Sequence, residues 1–142
     1  MQTITVTIPG DPKGKGRPRF SRHGGFVKTY TPESTALYEN LVRVSYIQQN
    51  PGVRLSGAIR AEIAAYFSIP ASTSKKKREL MVERMLHCTK KPDADNLAKC
   101  ILDALNSIAY IDDKQIAELV VTKLYSEEPR VEVTLTELEE GR

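Results

Sequence analysis

The sequence predicts a single two-layer α+β domain over residues 1–142, with helices packed on a mixed or antiparallel four-stranded sheet. Three observations carry that prediction. A chain of 142 residues, 40% hydrophobic and 27% charged, is long enough to close one core and too short for two. Apolar and polar residues alternate with period two at the start of the chain, in its middle and near its end. Helix start and stop signals divide the remainder, giving the order strand, helix, strand, helix, helix, strand, strand.

Ile4, Val6 and Ile8 alternate with Thr3, Thr5 and Thr7, so Gln2 to Pro9 reads as a half-buried strand. From Gly10 to Thr31 the composition turns to Gly, Pro and basic residues, including Lys13-Gly14-Lys15-Gly16-Arg17-Pro18-Arg19-Phe20. The cationic heads of such a loop must stay solvated or meet anions, and Phe20, Phe26 and Tyr30 among them suit stacking on bases. The plainer alternative is a solvated loop whose aromatics fold back on the domain. Gly14 and Gly16 are not followed by the Gly-Lys-Ser/Thr of a nucleotide cradle.

Thr31-Pro32-Glu33 supplies a cap, a Pro at the first helical position and a first-turn acid. The helix runs to Gln49 on an apolar stripe of Ala36, Leu37, Leu41, Val44 and Ile47, and Asn50-Pro51-Gly52 stops it. Leu55 to Ser68 places Leu55, Gly57, Ile59, Ala61, Ile63, Ala65 and Phe67 on one face, and reads as the longest strand and a central one. Ile69-Pro70 breaks it, and the hydroxyls of Ser72, Thr73 and Ser74 offer caps for a basic helix from Lys75 to Leu86 anchored by Leu80, Met81 and Met85. Asp95 reads as the cap of a helix over Asn96 to Ser107, with Leu97, Ile101, Leu105 and Ile108 inward. Ile116 to Ser126 and Arg130 to Leu138 read as strands paired in a hairpin across Glu127-Glu128-Pro129.

The net charge of +3 is unevenly spread. Lys13, Lys15, Arg17, Arg19, Arg22 and Lys28 occur without an intervening acid, and Lys75, Lys76, Lys77, Arg78, Arg84, Lys90 and Lys91 face only Glu79 and Glu83. Near the end of the chain, Glu127, Glu128, Glu132, Glu137, Glu139 and Glu140 dominate. One face is therefore expected to meet a polyanion, with Lys13, Lys15, Arg17, Arg19, Lys75, Lys76, Lys77, Lys90 and Lys91 as candidate DNA contacts. No apolar run reaches membrane-spanning length and no leader precedes the first strand, so a cytoplasmic protein without a membrane partner is expected. Cys88 and Cys100 form no Cys-x-x-Cys, His87 and Cys88 lack partners at zinc-ligand spacing, and both cysteines read as reduced thiols.

The chemistry concentrates in Lys90-Lys91-Pro92-Asp93-Ala94-Asp95-Asn96-Leu97-Ala98-Lys99. Asp93 and Asp95 are spaced to share a hard cation, and Lys99, one helical turn beyond Asp95, can neutralise charge on a phosphate or leaving oxygen. After the helix, Asp112-Asp113 can return a further carboxylate. Each residue also has an ordinary use: Asp95 as a cap, Asp93 as a solvated loop acid, Lys99 paired with Asp103, Asp112-Asp113 as turn formers. Ala98 and Lys99 exclude an EF-hand. The combination predicts a metal-dependent phosphodiester-cleaving centre.

In the same order along the chain, Lys13 to Phe20, Ile69-Pro70-Ala71-Ser72-Thr73-Ser74-Lys75-Lys76-Lys77-Arg78, Lys91 to Leu97, and Asp103-Ala104-Leu105-Asn106 through Ala109-Tyr110-Ile111-Asp112-Asp113 resemble the RusA family of crossover junction endodeoxyribonucleases. The resemblance implies a small homodimeric, Mg²⁺-dependent enzyme of phage or prophage type that resolves four-way DNA (Holliday) junctions by paired nicks during recombination and repair. It further implies Asp93, Asp95 and Asp113 as metal ligands and Lys99 as the catalytic lysine, with Asp112 a less certain neighbour. Ala94 stands where a larger Leu is familiar in the family, a difference of packing that leaves the ligands intact. The alternatives are a Mg²⁺ nuclease for flaps, forks or other branched DNA, and a noncatalytic DNA-binding module whose acids are only caps and turns.

Overall fold

The computed structural model describes residues 2–16, 19–30 and 32–140; Arg17 and the predicted cap Thr31 lie outside the described residues, and over 19–23 and 26–30, which include Arg19, only the backbone is described. The elements are β1 (Thr3–Pro9), β2 (Arg19–His23), β3 (Phe26–Tyr30), α1 (Glu33–Gln49), β4 (Ile59–Ser68), α2 (Lys75–Val82), α3 (Ala94–Leu105), a 3-10 turn (Asp113–Gln115), β5 (Ile116–Ser126) and β6 (Arg130–Glu137). The main sheet has the order β1-β6-β4-β5, with β6 antiparallel to β1 and β4, and β4 parallel to β5. The predicted α+β architecture with a four-stranded sheet is therefore present, in its mixed form.

Two strand expectations are corrected. β6 does not pair with β5: it enters between β1 and β4, and Glu127-Glu128-Pro129 carries the chain past β4. The burial explains the choice, because Val131, Val133 and Leu135 are wholly buried whereas β5 exposes Leu119 and Val120. β4 is central as expected, but at 10 residues it is shorter than β5 at 11, and Leu55 packs ahead of it instead of within it. The basic stretch read as a loop also contains structure. β2 and β3 pair as a hairpin around Gly24 and Gly25, whose φ values of 51° and 89° suit the two-residue turn that matches strand twist.

One face of the sheet is covered. Ile4, Val6 and Ile8 of β1, the inward residues of β4 and β6, Tyr38, Val42 and Tyr46 of α1, and Leu97, Ile101 and Leu105 of α3 form one core cluster. The opposite face carries the ion pairs Arg60–Glu118 at 3.1 Å and Arg130–Glu132 at 2.8 Å and meets solvent, the usual division for a two-layer sheet.

The side of α1 that faces the core is the reverse of the expected one. α1 buries Thr35, Tyr38, Glu39, Val42, Ser45 and Tyr46, leaving Leu37 64% and Ile47 53% exposed, with Ala36, Leu41 and Val44 also outward. Polar anchors set this orientation. Tyr46 Oη donates to the Val53 carbonyl at 2.5 Å, Thr35 Oγ1 accepts from Gly16 N, and Gln49 both accepts from and donates to the Thr7 backbone at 2.8 Å. Asn50 Nδ2 donates to the Thr5 carbonyl at 2.8 Å, so the helix end satisfies backbone groups of the edge strand β1. Pro32 occupies the cap position of α1, with no side-chain cap bond.

α2 starts as predicted, Ser74 Oγ accepting from Lys77 N, but ends at Val82. Arg84 has φ 63°, and the amides of Met85 and Leu86 both turn back to the Leu80 carbonyl. Met81 alone of the three expected anchors is buried; Leu80 is 38% and Met85 70% exposed.

Candidate active site

α3 fixes the acidic motif. The Lys91–Pro92 peptide is cis, and Asp93 follows in extended conformation (φ −70°, ψ 161°) at the cap position of α3, its carboxylate making no cap bond. Asp95 lies inside the first turn, two positions past the cap position expected for it, which Asp93 occupies. Leu97, Cys100, Ile101, Ala104 and Leu105 bury the inner side, which leaves Asp93, Asp95 and Lys99 exposed.

The Asp93 and Asp95 carboxyls are within hydrogen-bond reach of one another. That mutual contact holds Asp93 below the usual carboxylate range and pushes Asp95 above it, and the charges of Lys123 and Lys91 lower Asp93 further. The pair thus behaves as one unit able to hold a proton or a cation between its oxygens, and neither carboxylate has an ion-pair partner among the described residues.

The second acidic pair is divided by role. Asp112 caps the 3-10 turn, accepting from Lys114 N at 2.9 Å, while Gln115 Oε1 accepts from Ile111 N and Asp112 N to complete a capping box. These cap bonds hold Asp112 below its ordinary value. Asp113 is left with a free carboxylate, and Asn106 Oδ1 accepts from its amide at 3.0 Å. Partial burial, then the Asp112 carboxyl, push Asp113 upward, while Lys99 opposes that shift.

Asp95, Lys99 and Asp103 follow one another at i, i+4 spacing on one face of α3. Eight residues correspond to about 12 Å of helix rise between Asp95 and Asp103, a row with Lys99 midway, and Asp113 feels the charges of Asp103 and Lys99. Among the described residues no three His, Cys, Asp or Glu side chains draw together into a metal-sized cluster. The structure brings Asp93 to Asp95, and Asp113 to the neighbourhood of Lys99 and Asp103.

The glycine-rich strand-to-hairpin link lies across this row. Lys15 N donates to Asn96 Oδ1 at 3.0 Å, Lys15 Nζ donates to Asp103 Oδ2 at 2.6 Å, and Gly16 N donates to Thr35 Oγ1 at 2.8 Å. A groove of ≈ 470 Å³ lies between this segment and the acidic motif, lined by Lys13, Gly14, Lys91, Pro92, Asp93 and Asn96. Lys75, Lys76 and Lys77 are exposed on α2 and Lys90 is exposed ahead of the groove, whereas Arg78 is paired with Glu127 at 2.6 Å. Lys15, a candidate DNA contact, has its charge engaged by Asp103.

Three contributors escaped sequence reading. Lys123 projects from β5, donates to the Lys90 carbonyl, lies 5.4 Å from the Phe67 ring centroid and lends its charge to Asp93. Its alternation position was visible, but its neighbours depend on the parallel β4–β5 register. Asn96 and Asn106 orient the segment before the hairpin and the Asp113 turn through single side-chain acceptors, for which spacing gives no signal.

Exposed, neighbouring carboxylates beside lysines that make no ion pair among the described residues, on a small mixed-sheet α+β scaffold, suit a nuclease, which must hold a phosphodiester against acids that would otherwise repel it. The chain belongs to the RusA family of endodeoxyribonucleases: the family model Endodeoxyribonuclease RusA matches residues 9–136. It is also 39% identical over 140 residues to the uncharacterized protein YqaN of Bacillus subtilis (strain 168), covering 97% of this chain and 99% of that one. Among the described residues no helix is long and apolar enough to cross a membrane.

Proposed function

We propose that the protein is a Mg²⁺-dependent crossover junction endodeoxyribonuclease that resolves four-way DNA junctions by paired phosphodiester hydrolysis in recombination and repair, acting in the cytoplasm as a homodimer. The observation that carries this reading is the exposed Asp93–Asp95 pair, uncapped and unpaired, at a lysine-lined groove of a RusA-family chain.

The donor set fits a hard cation, since carboxylate oxygens are the ligands Mg²⁺ prefers and, among the described residues, neither Asp93 nor Asp95 forms an ion pair with a lysine or arginine. Asp93 and Asp95 would hold the ion; Asp113, beside Lys99 and Asp103 and not drawn into a cluster with the pair among the described residues, would have to close on it to act as the third carboxylate. Bound there, Mg²⁺ supplies a water of lowered pKa and polarises the phosphate. Lys99 sits midway between Asp95 and Asp103, where its ammonium can meet the phosphate or the departing oxygen. Lys13, Lys75, Lys76, Lys77, Lys90 and Lys91 guide the DNA backbone toward the carboxylates by sequence-independent attraction.

Cleavage of a four-way junction, a flap, a fork and linear duplex, each with Mg²⁺ and with chelator, tests the proposal. The junction is expected to be cut by symmetric nicks with Mg²⁺ alone. Preference for a flap or fork would move the substrate to other branched DNA, and binding without cutting in every arm would leave a noncatalytic DNA-binding module.

A two-fold junction needs two matched sites, which a two-fold dimer supplies. The outward stripe of Leu37, Leu41, Val44 and Ile47 supports such pairing, because monomers seldom leave a contiguous aliphatic helix face in water. The double substitution Leu37→Glu, Val44→Glu is expected to yield a monomer by analytical ultracentrifugation, with a lower Tm that no longer depends on protein concentration; a persistent dimer would place the interface elsewhere.

A further inference from the structure

The Lys15–Asp103 ion pair serves a purpose that neither residue reveals alone. Asp103 lies one turn beyond Lys99, and its Oδ2 faces two ammonium groups, Lys15 Nζ at 2.6 Å and Lys99 Nζ at 3.8 Å. The first is a charge-assisted hydrogen bond, and the second is too long to be one. The Lys15 and Asp103 side chains are 28% and 24% exposed, while Lys99 is 67% exposed. Glu39, buried beneath, adds a second carboxylate 3.9 Å from Lys15. The Lys15 backbone is fixed by Asn96 and the following Gly16 by Thr35, so its side chain is delivered to Asp103 from a tethered segment.

We propose that Lys15 is a positioning residue for Lys99: by occupying Asp103, Lys15 prevents Lys99 from collapsing onto its own i+4 carboxylate and keeps its ammonium free to meet the scissile phosphate. A Lys at i paired with an Asp at i+4 is a favourable helix contact in its own right. In the absence of Lys15, Asp103 would be a partly shielded carboxylate whose nearest cation is Lys99, and the proposed catalytic ammonium would be diverted. The hydrogen bond that Lys15 donates to Asp103 holds Lys15 charged, consistent with a permanent partner. This inference rests on the proposed meeting of Lys99 with a phosphate, and it deepens that role by naming what controls it.

The test is a mutant cycle on the full-length protein with Mg²⁺ and a four-way junction. Lys15→Met is expected to lower kcat about 10- to 100-fold with little change in KM, the pattern of a group acting in the transition state. In its crystal structure Lys99 Nζ is expected to move within hydrogen-bond distance of Asp103 Oδ2. Adding Asp103→Asn removes the competing charge and is expected to restore activity to within about threefold of wild type, a compensation that two additive structural losses cannot give. Lys15→Arg, which preserves the pairing, is expected to retain activity and guards against a Lys15→Met chain that fails to fold. A double variant as slow as Lys15→Met, or Lys99 unmoved in the crystal, overturns the inference and leaves the nuclease reading standing; a Lys99→Met variant cutting at the wild-type rate overturns the inference together with the catalytic role of Lys99, and a wild-type protein that binds the junction without cutting it overturns the nuclease reading itself.

Discussion

Asp93→Asn is expected to abolish Mg²⁺-dependent junction cleavage, by at least about 10³-fold, while junction binding persists. The substitution keeps the shape of the side chain and removes one of two adjacent anionic ligands. Nothing in the fold depends on that carboxylate, which makes no cap bond and is exposed, so the thermal unfolding curve should be unchanged. Binding should hold or tighten, because one negative charge leaves a groove flanked by Lys91 and Lys123. Gel-shift affinity and cleavage of the same labelled junction separate the two effects, and retained cutting would remove Asp93 from the chemistry.

Gly14→Ala is expected to cost about 1–3 kcal/mol of stability and about 100-fold in cleavage, although it adds a single methyl. A Cβ at Gly14 would lie 2.6 Å from Asn96 Nδ2 and 2.7 Å from Pro92 Cβ, both inside van der Waals contact. Neither neighbour yields easily. Pro92 is a rigid ring, and Asn96 is held because its Oδ1 accepts from Lys15 N at 3.0 Å. Asp93 follows Pro92 and Asp95 precedes Asn96, so any adjustment passes directly to the carboxylate pair. Urea unfolding together with calorimetric Mg²⁺ affinity measures the result; a variant with native affinity and rate would show that the segment yields freely.

Much of this molecule can be read from local pattern. Alternation delimits β1, β5 and β6 closely, and the apolar spacing of Leu97, Ile101 and Leu105 correctly assigns the buried side of α3. That side then dictates that Asp95 and Lys99 face solvent together, since their separation along one helix is set by backbone geometry. The division between Asp112 and Asp113 is different in kind: either acid could cap the turn, and only the bond from Lys114 N to the Asp112 carboxylate and the bond from Asp112 N to Gln115 Oε1 show which one does.

Residues close together in the chain were enough for the α+β class, for the order of the four main-sheet strands and three helices though not for the β2–β3 hairpin, and for the placement of Asp93, Asp95 and Lys99 around one helix start. Tertiary structure alone decided that β6 lies between β1 and β4, that α1 turns its aliphatic stripe outward, and that Lys15 engages Asp103. A periodic pattern shows that an element has an apolar side, but the surface that covers it is selected by contacts among distant segments. For α1 those contacts are the hydrogen bonds that Thr35, Tyr46, Gln49 and Asn50 make with other parts of the chain, together with the burial of Tyr38, Val42 and Tyr46 against the sheet.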